Sequence, residues 1–384
     1  MNMQPVQFYS AANLKENPFR SNPTQESDPR MDIWVGYGRE KEQFWRQLVR
    51  SRADQIGNAN LVLLYGDLGT GKSHALFWAK YQILVALKDD FNSVAYYVQT
   101  LRKDAGKITF AGAFREDIVG KSSLVSDVRH FRQFLEECII EYKRDHGLGP
   151  EVTKEVVLEK LLHSIELFNF GKEILRCETE EQVRDLLLPP RLGDYQAMMT
   201  LTKLINLFVF EIKVPSRPRR FKNGAYLFID ELDLLTTATA KEARDVNELL
   251  RHIYDNCPNS FCMVLAFTAT AAELNILFSP FVLSRVSRQI VMNFLQLDEA
   301  KLFIKGILDT ARIDVSKRAG FFPFEDDTIH GIVSQIVSIT PRKVINAMQQ
   351  ILEEVRLLNV DPTQGLITTA FLEDNGIIDE VLGT

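Results

Sequence analysis

The sequence predicts an α/β fold built on a parallel sheet, and three observations predict it. Short apolar runs, closed by a glycine or a carboxylate, recur along the chain. Amphipathic helical stretches separate them, the alternation expected of strands joined by crossover helices. The first run opens directly onto a glycine-rich loop that is followed by a helical pattern.

Each element has its own signature. Asn60-Leu-Val-Leu-Leu-Tyr65 is apolar on both faces and ends at Gly66, as a buried parallel strand does. Ser73–Leu87 reads as the helix behind it. Ser93–Leu101, Ala225–Ile229 and Phe261–Thr268 read as three more buried strands, and Gln289–Phe294 as a fifth. Lys241–Asn256 is a helix between two of them. Ahead of the first strand a helix starts near Arg39, with Phe44, Trp45, Leu48 and Val49 as its apolar positions.

About 120 residues separate Leu101 from Ala225, far more than one crossover needs. Phe131, Phe134, Leu135, Cys138, Ile139 and Tyr142 recur there at helical spacing. Thr179 with Gln182 forms a capping-box start for another helix. Residues 102–224 are therefore expected to be a helical insertion. Pro5, Pro18, Pro23 and Pro29, among many polar residues, mark residues 1–35 as an extended arm without its own core. Beyond Gln296 the pattern is helical: Glu299–Ala311, Asp326–Val337, Arg342–Leu358 and a short terminal piece.

Composition narrows the function classes. The 384 residues are 46% hydrophobic and 25% charged, which excludes a disordered or fibrous chain. Lys and Arg number 45 against 51 Asp and Glu, a net charge of −6, so any nucleic-acid contact must come from a local basic patch. Cys138, Cys177, Cys257 and Cys262 form no C-x-x-C pair and read as buried free thiols of a reducing compartment. The longest apolar run, Phe261 to Phe267, is far short of the ~20 residues of a membrane span. The N-terminus lacks the basic and apolar regions of a signal peptide, so a cytoplasmic protein is expected.

Chemistry enters with Gly66-Asp-Leu-Gly69-Thr70-Gly71-Lys72-Ser73, which fits G-x-x-x-x-G-K-[ST]. The glycines let consecutive backbone N–H groups face one anion, and the following helix adds its positive end. Lys72 would reach the β- and γ-phosphates, and Ser73 would ligate Mg²⁺. Tyr226-Leu-Phe-Ile-Asp230-Glu231-Leu-Asp233 is an apolar strand ending in carboxylates. Asp230 would orient Mg²⁺ through its water shell, and Glu231 would polarise the attacking water, with Asp233 as the alternative base. ATP and Mg²⁺ are the ligands these motifs imply.

With these pieces the sequence resembles the AAA+ superfamily, and within it the origin-recognition and archaeal-initiator clade together with transposon-regulator ATPases. The resemblance rests on Gly36-Tyr-Gly-Arg39-Glu40-Lys-Glu42, GDLGTGKS, LFIDELD, the strand end at Thr268, LSRVSR and ITPRK, and spans roughly residues 34 to 350. It implies a nucleotide-binding core over residues 36–295, with a parallel five-stranded sheet, and an α-helical lid over 296–384. It implies that Thr268 is a polar sensor of the lytic water and that Arg285 is an arginine finger acting on a neighbouring subunit's ATP, with Arg288 as the competitor. Arg342 would be the lid arginine of its own subunit, and Tyr37 would lie near the adenine. The family's long-range expectation is an ATP-hydrolysing homo-oligomeric switch, a ring or filament, that assembles on duplex DNA and recruits a protein partner in replication, transposition or defence. A protein-remodelling ATPase without a DNA role, or a signalling NTPase, is the alternative. The insertion is longer than this clade usually carries. Its Lys213-Val-Pro-Ser-Arg217-Pro-Arg219-Arg220-Phe-Lys222 segment holds five basic side chains and no acid, and with Arg102, Lys103 and Lys107 it is the candidate phosphate-tracking patch; a solvated loop is the plainer reading.

Overall fold

The computed structural model describes residues 5–20, 29–103, 106–162, 164–257, 259–317 and 320–383. Pro23, within the expected arm, and the side chain of Lys103 lie outside the described residues. The strands are β1 (Asn60–Gly66), β2 (Ser93–Val98), β3 (Arg102–Lys103), β4 (Lys107–Ile108), β5 (Glu211–Val214), β6 (Arg217–Arg220), β7 (Gly224–Ile229), β8 (Phe261–Thr268) and β9 (Val286–Met292). The chain forms two compact units, one of Met1–Lys41, Gly66–Phe77 and Met292–Thr384, the other of Glu42–Tyr65 and Trp78–Val291.

The second unit is built on the sheet. Its order is β2-β7-β8-β1-β9, five strands in parallel, as the sequence predicts. Ser93 pairs with Gly224 through to Val98 with Ile229, and Ala225 with Phe261 through to Ile229 with Leu265. All of β7 is buried, which is why its sequence is continuously apolar rather than alternating. The last strand begins three residues before the expected Gln289. The reason is its place at the sheet edge: Ser287, Arg288 and Gln289 are exposed there, so polar residues are tolerated in a strand that apolarity alone would start later.

Residues 102–224 hold helices Leu124–Asp145, Lys154–Leu161, Ile165–Arg176, Glu180–Leu187 and Asp194–Val209, together with two short two-stranded sheets, β3-β4 and β5-β6. The Thr179–Gln182 capping box is formed. Phe131 meets Phe208 and Phe221 at ring-centroid distances of 5.3 and 5.4 Å, which ties two of these helices to the segment after β6. The basic segment is not an irregular loop. Glu211–Val214 and Arg217–Arg220 pair as an antiparallel hairpin. The helix after the glycine-rich loop is Lys72–Tyr81, shorter than expected, because a π-turn over Gln82–Ala86 interrupts the register.

In the first unit, the described part of the arm departs from the extended reading. Pro5–Ala11 is helical, and Phe8, Leu14 and Phe19 are fully buried. The segment joins the C-terminal helices by backbone bonds, Lys15 N–H to Ala311 O at 2.9 Å and Ile313 N–H to Asn13 O at 3.1 Å. The buried Arg312 guanidinium donates to Ala12 O and Phe322 O. A segment this short cannot form a core alone, so its apolar residues are buried against a partner that local pattern does not reveal. The C-terminal part holds helices Leu297–Thr310, Asp326–Ser334, Pro341–Leu357, Thr369–Asp374 and Ile377–Leu382. No helix among the described residues is long and apolar enough to cross a membrane.

Candidate nucleotide site

Strand β1 delivers the chain into Gly66–Ser73, and the loop's shape follows from its glycines. A Cβ on Gly66 would lie 2.2 Å from the backbone oxygen of Met292, so no other residue fits. Gly69, at φ +83°, takes a conformation that costs an L side chain about 1 kcal/mol or more. Thr70 is fully buried and its hydroxyl donates to Asp67 O at 2.8 Å. The Lys72 ammonium donates to Gly66 O and Asp67 O, at 2.9 and 2.8 Å, which curls the side chain back over the loop. Ser73, in the first turn of the helix, is exposed.

Two other pieces of the same unit meet or flank this loop. Thr340 caps the helix Pro341–Leu357, and at its start Arg342 N–H donates to Gly69 O at 3.2 Å. A Cβ on Gly69 would be 3.0 Å from Arg342 Cβ and 3.3 Å from Thr340 Oγ1, so Arg342 lies directly on the loop's turn. Tyr37 is buried, sits at φ 50°, and donates its hydroxyl to Asn293 O at 2.8 Å. Burial, and then the charges of Glu299 and Glu40, push that phenol well above its ordinary value. Tyr37, Gly66, Gly69, Thr70, Gly71, Lys72, Ser73 and Arg342 thus belong to one compact unit.

The carboxylates belong to the other unit. Asp230 follows β7 and is buried. Its Oδ1 accepts from Glu231 N–H at 2.9 Å, and its Oδ2 accepts from the Tyr97 hydroxyl at 3.0 Å. Tyr97 stands on β2, beside β7; burial and the Asp230 charge raise its phenol pKa far above ordinary. Glu231 takes a left-handed conformation, φ 52° and ψ 36°, a strained backbone of the kind found at functional sites. Asp233 lies in the short helix that follows, and Thr268 is the last residue of β8. Arg285 is turned toward helix Ala240–Asn256, where its guanidinium grips Asp255 with two bonds of 2.5 and 2.7 Å. That contact holds its pKa above the usual range. Arg288 is exposed on β9.

Sequence reasoning missed Tyr97 and Asp255. Tyr97 left a faint signal, a phenol inside the strand predicted over Ser93–Leu101, and it stands one residue from the end of the observed strand. Asp255 left none, since only the tertiary fold brings it to Arg285.

A central strand running into a glycine-rich phosphate loop, a second strand ending in a carboxylate pair, and one strand inserted between them decide the resemblance. The chain resembles the AAA+ ATPases. No protein-family model matches the chain, and no curated protein matches it. Among solved structures it is similar to the Aeropyrum pernix ORC2 protein in its ADPNP–ADP complexes, at 13% identity and a TM-score of 0.49 over 93% of this chain and 71% of that one. It is similar to the Aeropyrum pernix ORC1 protein in complex with DNA, at 11% identity and a TM-score of 0.49 over 92% and 68%. It is similar also to Drosophila ORC bound to DNA, at 12% identity and a TM-score of 0.48 over 98% and 67%.

The loop residues fit the phosphates of a nucleotide: the loop has the glycine-dictated turn, an ammonium folded over it, and the start of helix Pro341–Leu357 on its rim. The Ser73 hydroxyl in one unit and the Asp230 carboxylate in the other are each of the hard-oxygen type that Mg²⁺ takes.

Proposed function

We propose that the chain is a Mg²⁺-dependent ATPase that works as an oligomeric switch. The observation that carries the reading is Arg342 seated on Gly69, because it joins the lid to the phosphate loop, so that one unit can respond to what the loop holds. Backbone N–H groups of Gly69–Ser73 would bind the phosphates, with Lys72 leaving its two carbonyl partners for the β- and γ-oxygens. Mg²⁺, held by Ser73 and by Asp230 through water, would neutralise charge developing on the phosphates. Glu231 would take a proton from the attacking water, and Thr268 would hold that water in place. Asp233 remains the alternative base.

Arg285 would complete the site of a neighbouring subunit. Its present partner is a solvent-reachable carboxylate, and exposed pairs of this kind contribute little, so exchange for a phosphate is feasible. Hydrolysis then needs assembly, and assembly on duplex DNA with recruitment of a protein partner is the function this supports. The test is turnover per subunit across a protein dilution series, with and without duplex. A rate that rises with concentration and with duplex is expected; a rate independent of both would overturn the switch.

One observation favours the second reading, remodelling of a protein partner without DNA. The basic hairpin is partly neutralised by the insertion's own acids: Arg219 binds Glu137 and Glu141, and Arg220 binds Glu211. Absence of any duplex binding, together with concentration-dependent turnover, would select that reading.

A further inference from the structure

The second unit carries a basic cleft that no motif announces. It has a volume of about 430 Å³. Gln43, Arg46, Gln47 and Arg50 line it from one face of helix Gly38–Arg50, Arg288 lines it from edge strand β9, and Trp45 stands in its wall. Gln43, Arg46, Gln47 and Arg50 share a face because they are spaced i, i+3, i+4, i+7. No acidic side chain lines the cleft.

The three guanidinium groups are scarcely compensated. Arg46 pairs with Glu42 one turn back on the same helix, with both side chains more than 60% exposed, a contact that costs little to break. Among the described residues, the Arg50 and Arg288 side chains have neither an ion pair nor a hydrogen bond. Helix-dipole compensation accounts for Arg50, which sits in the last turn. It accounts for neither Arg46 nor Arg288. Three like charges held around one concave surface repel one another, and an anion placed among them relieves that repulsion. Guanidinium forks suit phosphate oxygens, and the neighbouring glutamine amides can donate to the same group.

We propose that this cleft, and not the hairpin at Arg217–Arg220, grips the phosphodiester backbone of duplex DNA. The inference rests on the nucleic-acid reading above and names its contact surface. The contacts are with backbone phosphates, so sequence preference is weak. The contrast with the hairpin is electrostatic: two of its three arginines, Arg219 and Arg220, already hold carboxylates that a phosphate would have to displace, whereas in the cleft only Arg46 holds one, and Arg50 and Arg288 converge there without any.

The experiment is fluorescence anisotropy of a labelled duplex of arbitrary sequence against the full chain with ATP, across a salt series. The deciding variant is Arg46→Gln/Arg50→Gln, which leaves Arg288, the competing finger, in place. Each lost phosphate contact removes about 0.9 from the slope of log affinity against log salt. The double variant is therefore expected to flatten the slope by ~1.8 and weaken binding at least ~10-fold at low salt, with an unchanged melting temperature. Lys213→Gln/Arg217→Gln, on the hairpin, is expected to leave the slope unaltered. A wild-type slope in the cleft variant beside a flattened one in the hairpin variant overturns the cleft and leaves DNA binding standing. No binding of the duplex by the wild-type chain overturns the nucleic-acid reading itself.

Discussion

The two compact units hold different halves of one proposed reaction, and they are built from different materials. The unit of Met1–Lys41, Gly66–Phe77 and Met292–Thr384 offers cations, a hydroxyl and backbone N–H groups, presented by a loop whose glycines set its shape. The unit of Glu42–Tyr65 and Trp78–Val291 offers carboxylates at the ends of buried strands, with Asp230 held by bonds on both oxygens. The groups proposed to hold phosphate thus sit on a glycine-shaped loop, and those proposed to orient metal and water sit at the ends of buried strands. Loss in the first unit should therefore appear as lost binding, and loss in the second as lost turnover with binding kept.

The sharpest way to break that comparison is Lys72→Ala. Nucleotide affinity measured by calorimetry is expected to fall below detection, because Lys72 is the flexible cation of the cradle; wild-type affinity would end the phosphate-loop assignment. Glu231→Gln should do the opposite. Turnover is expected to drop ~10²-fold or more, the scale of a general base, while ATP affinity changes little. A variant that still hydrolyses at the wild-type rate moves the base to Asp233.

Arg285→Ala tests whether the second unit acts across subunits. Alone it is expected to lose at least ~10-fold in turnover with ATP binding intact. Mixed with Lys72→Ala subunits it should recover part of that loss, since one composite site then has both a phosphate loop and a finger. No recovery, or recovery only when Arg288 is the residue replaced, moves the finger. Tyr97→Phe should have the smallest effect. It removes one hydrogen bond to the Asp230 carboxylate, which the bond from Glu231 N–H still holds. A several-fold rise in the Mg²⁺ concentration needed for half-maximal turnover is expected. An unchanged Mg²⁺ requirement would mean that Tyr97 only packs.

Regular periodicity made much of this molecule legible. The strands at Asn60 and Phe261 and the helices at Ala240 and Pro341 fall where pattern places them, within a residue or two. The edge strand β9 was placed late because exposure at Ser287–Gln289 erases the apolar signal. The opposite cause hid the arm, whose prolines suggest an extended chain while Phe8, Leu14 and Phe19 are buried and its backbone bonds to residues about three hundred positions away.

The sequence by itself determined which residue types stand in the loop and at the end of the carboxylate strand. A phosphate cradle needs glycines, a lysine and a hydroxyl at consecutive positions, and a buried strand ending in acids is a local pattern too; both are short-range demands. Which charges stay available is a tertiary outcome. Lys213–Lys222 reads as a basic run, yet Arg219 folds onto Glu137 and Glu141, some eighty residues earlier. Arg46 and Arg50 share one helix face, and Arg288 arrives beside them only through the fold, from edge strand β9, to line one cleft. Coulombic energy depends on distance in space, and residues far apart in sequence acquire that distance only when the chain folds.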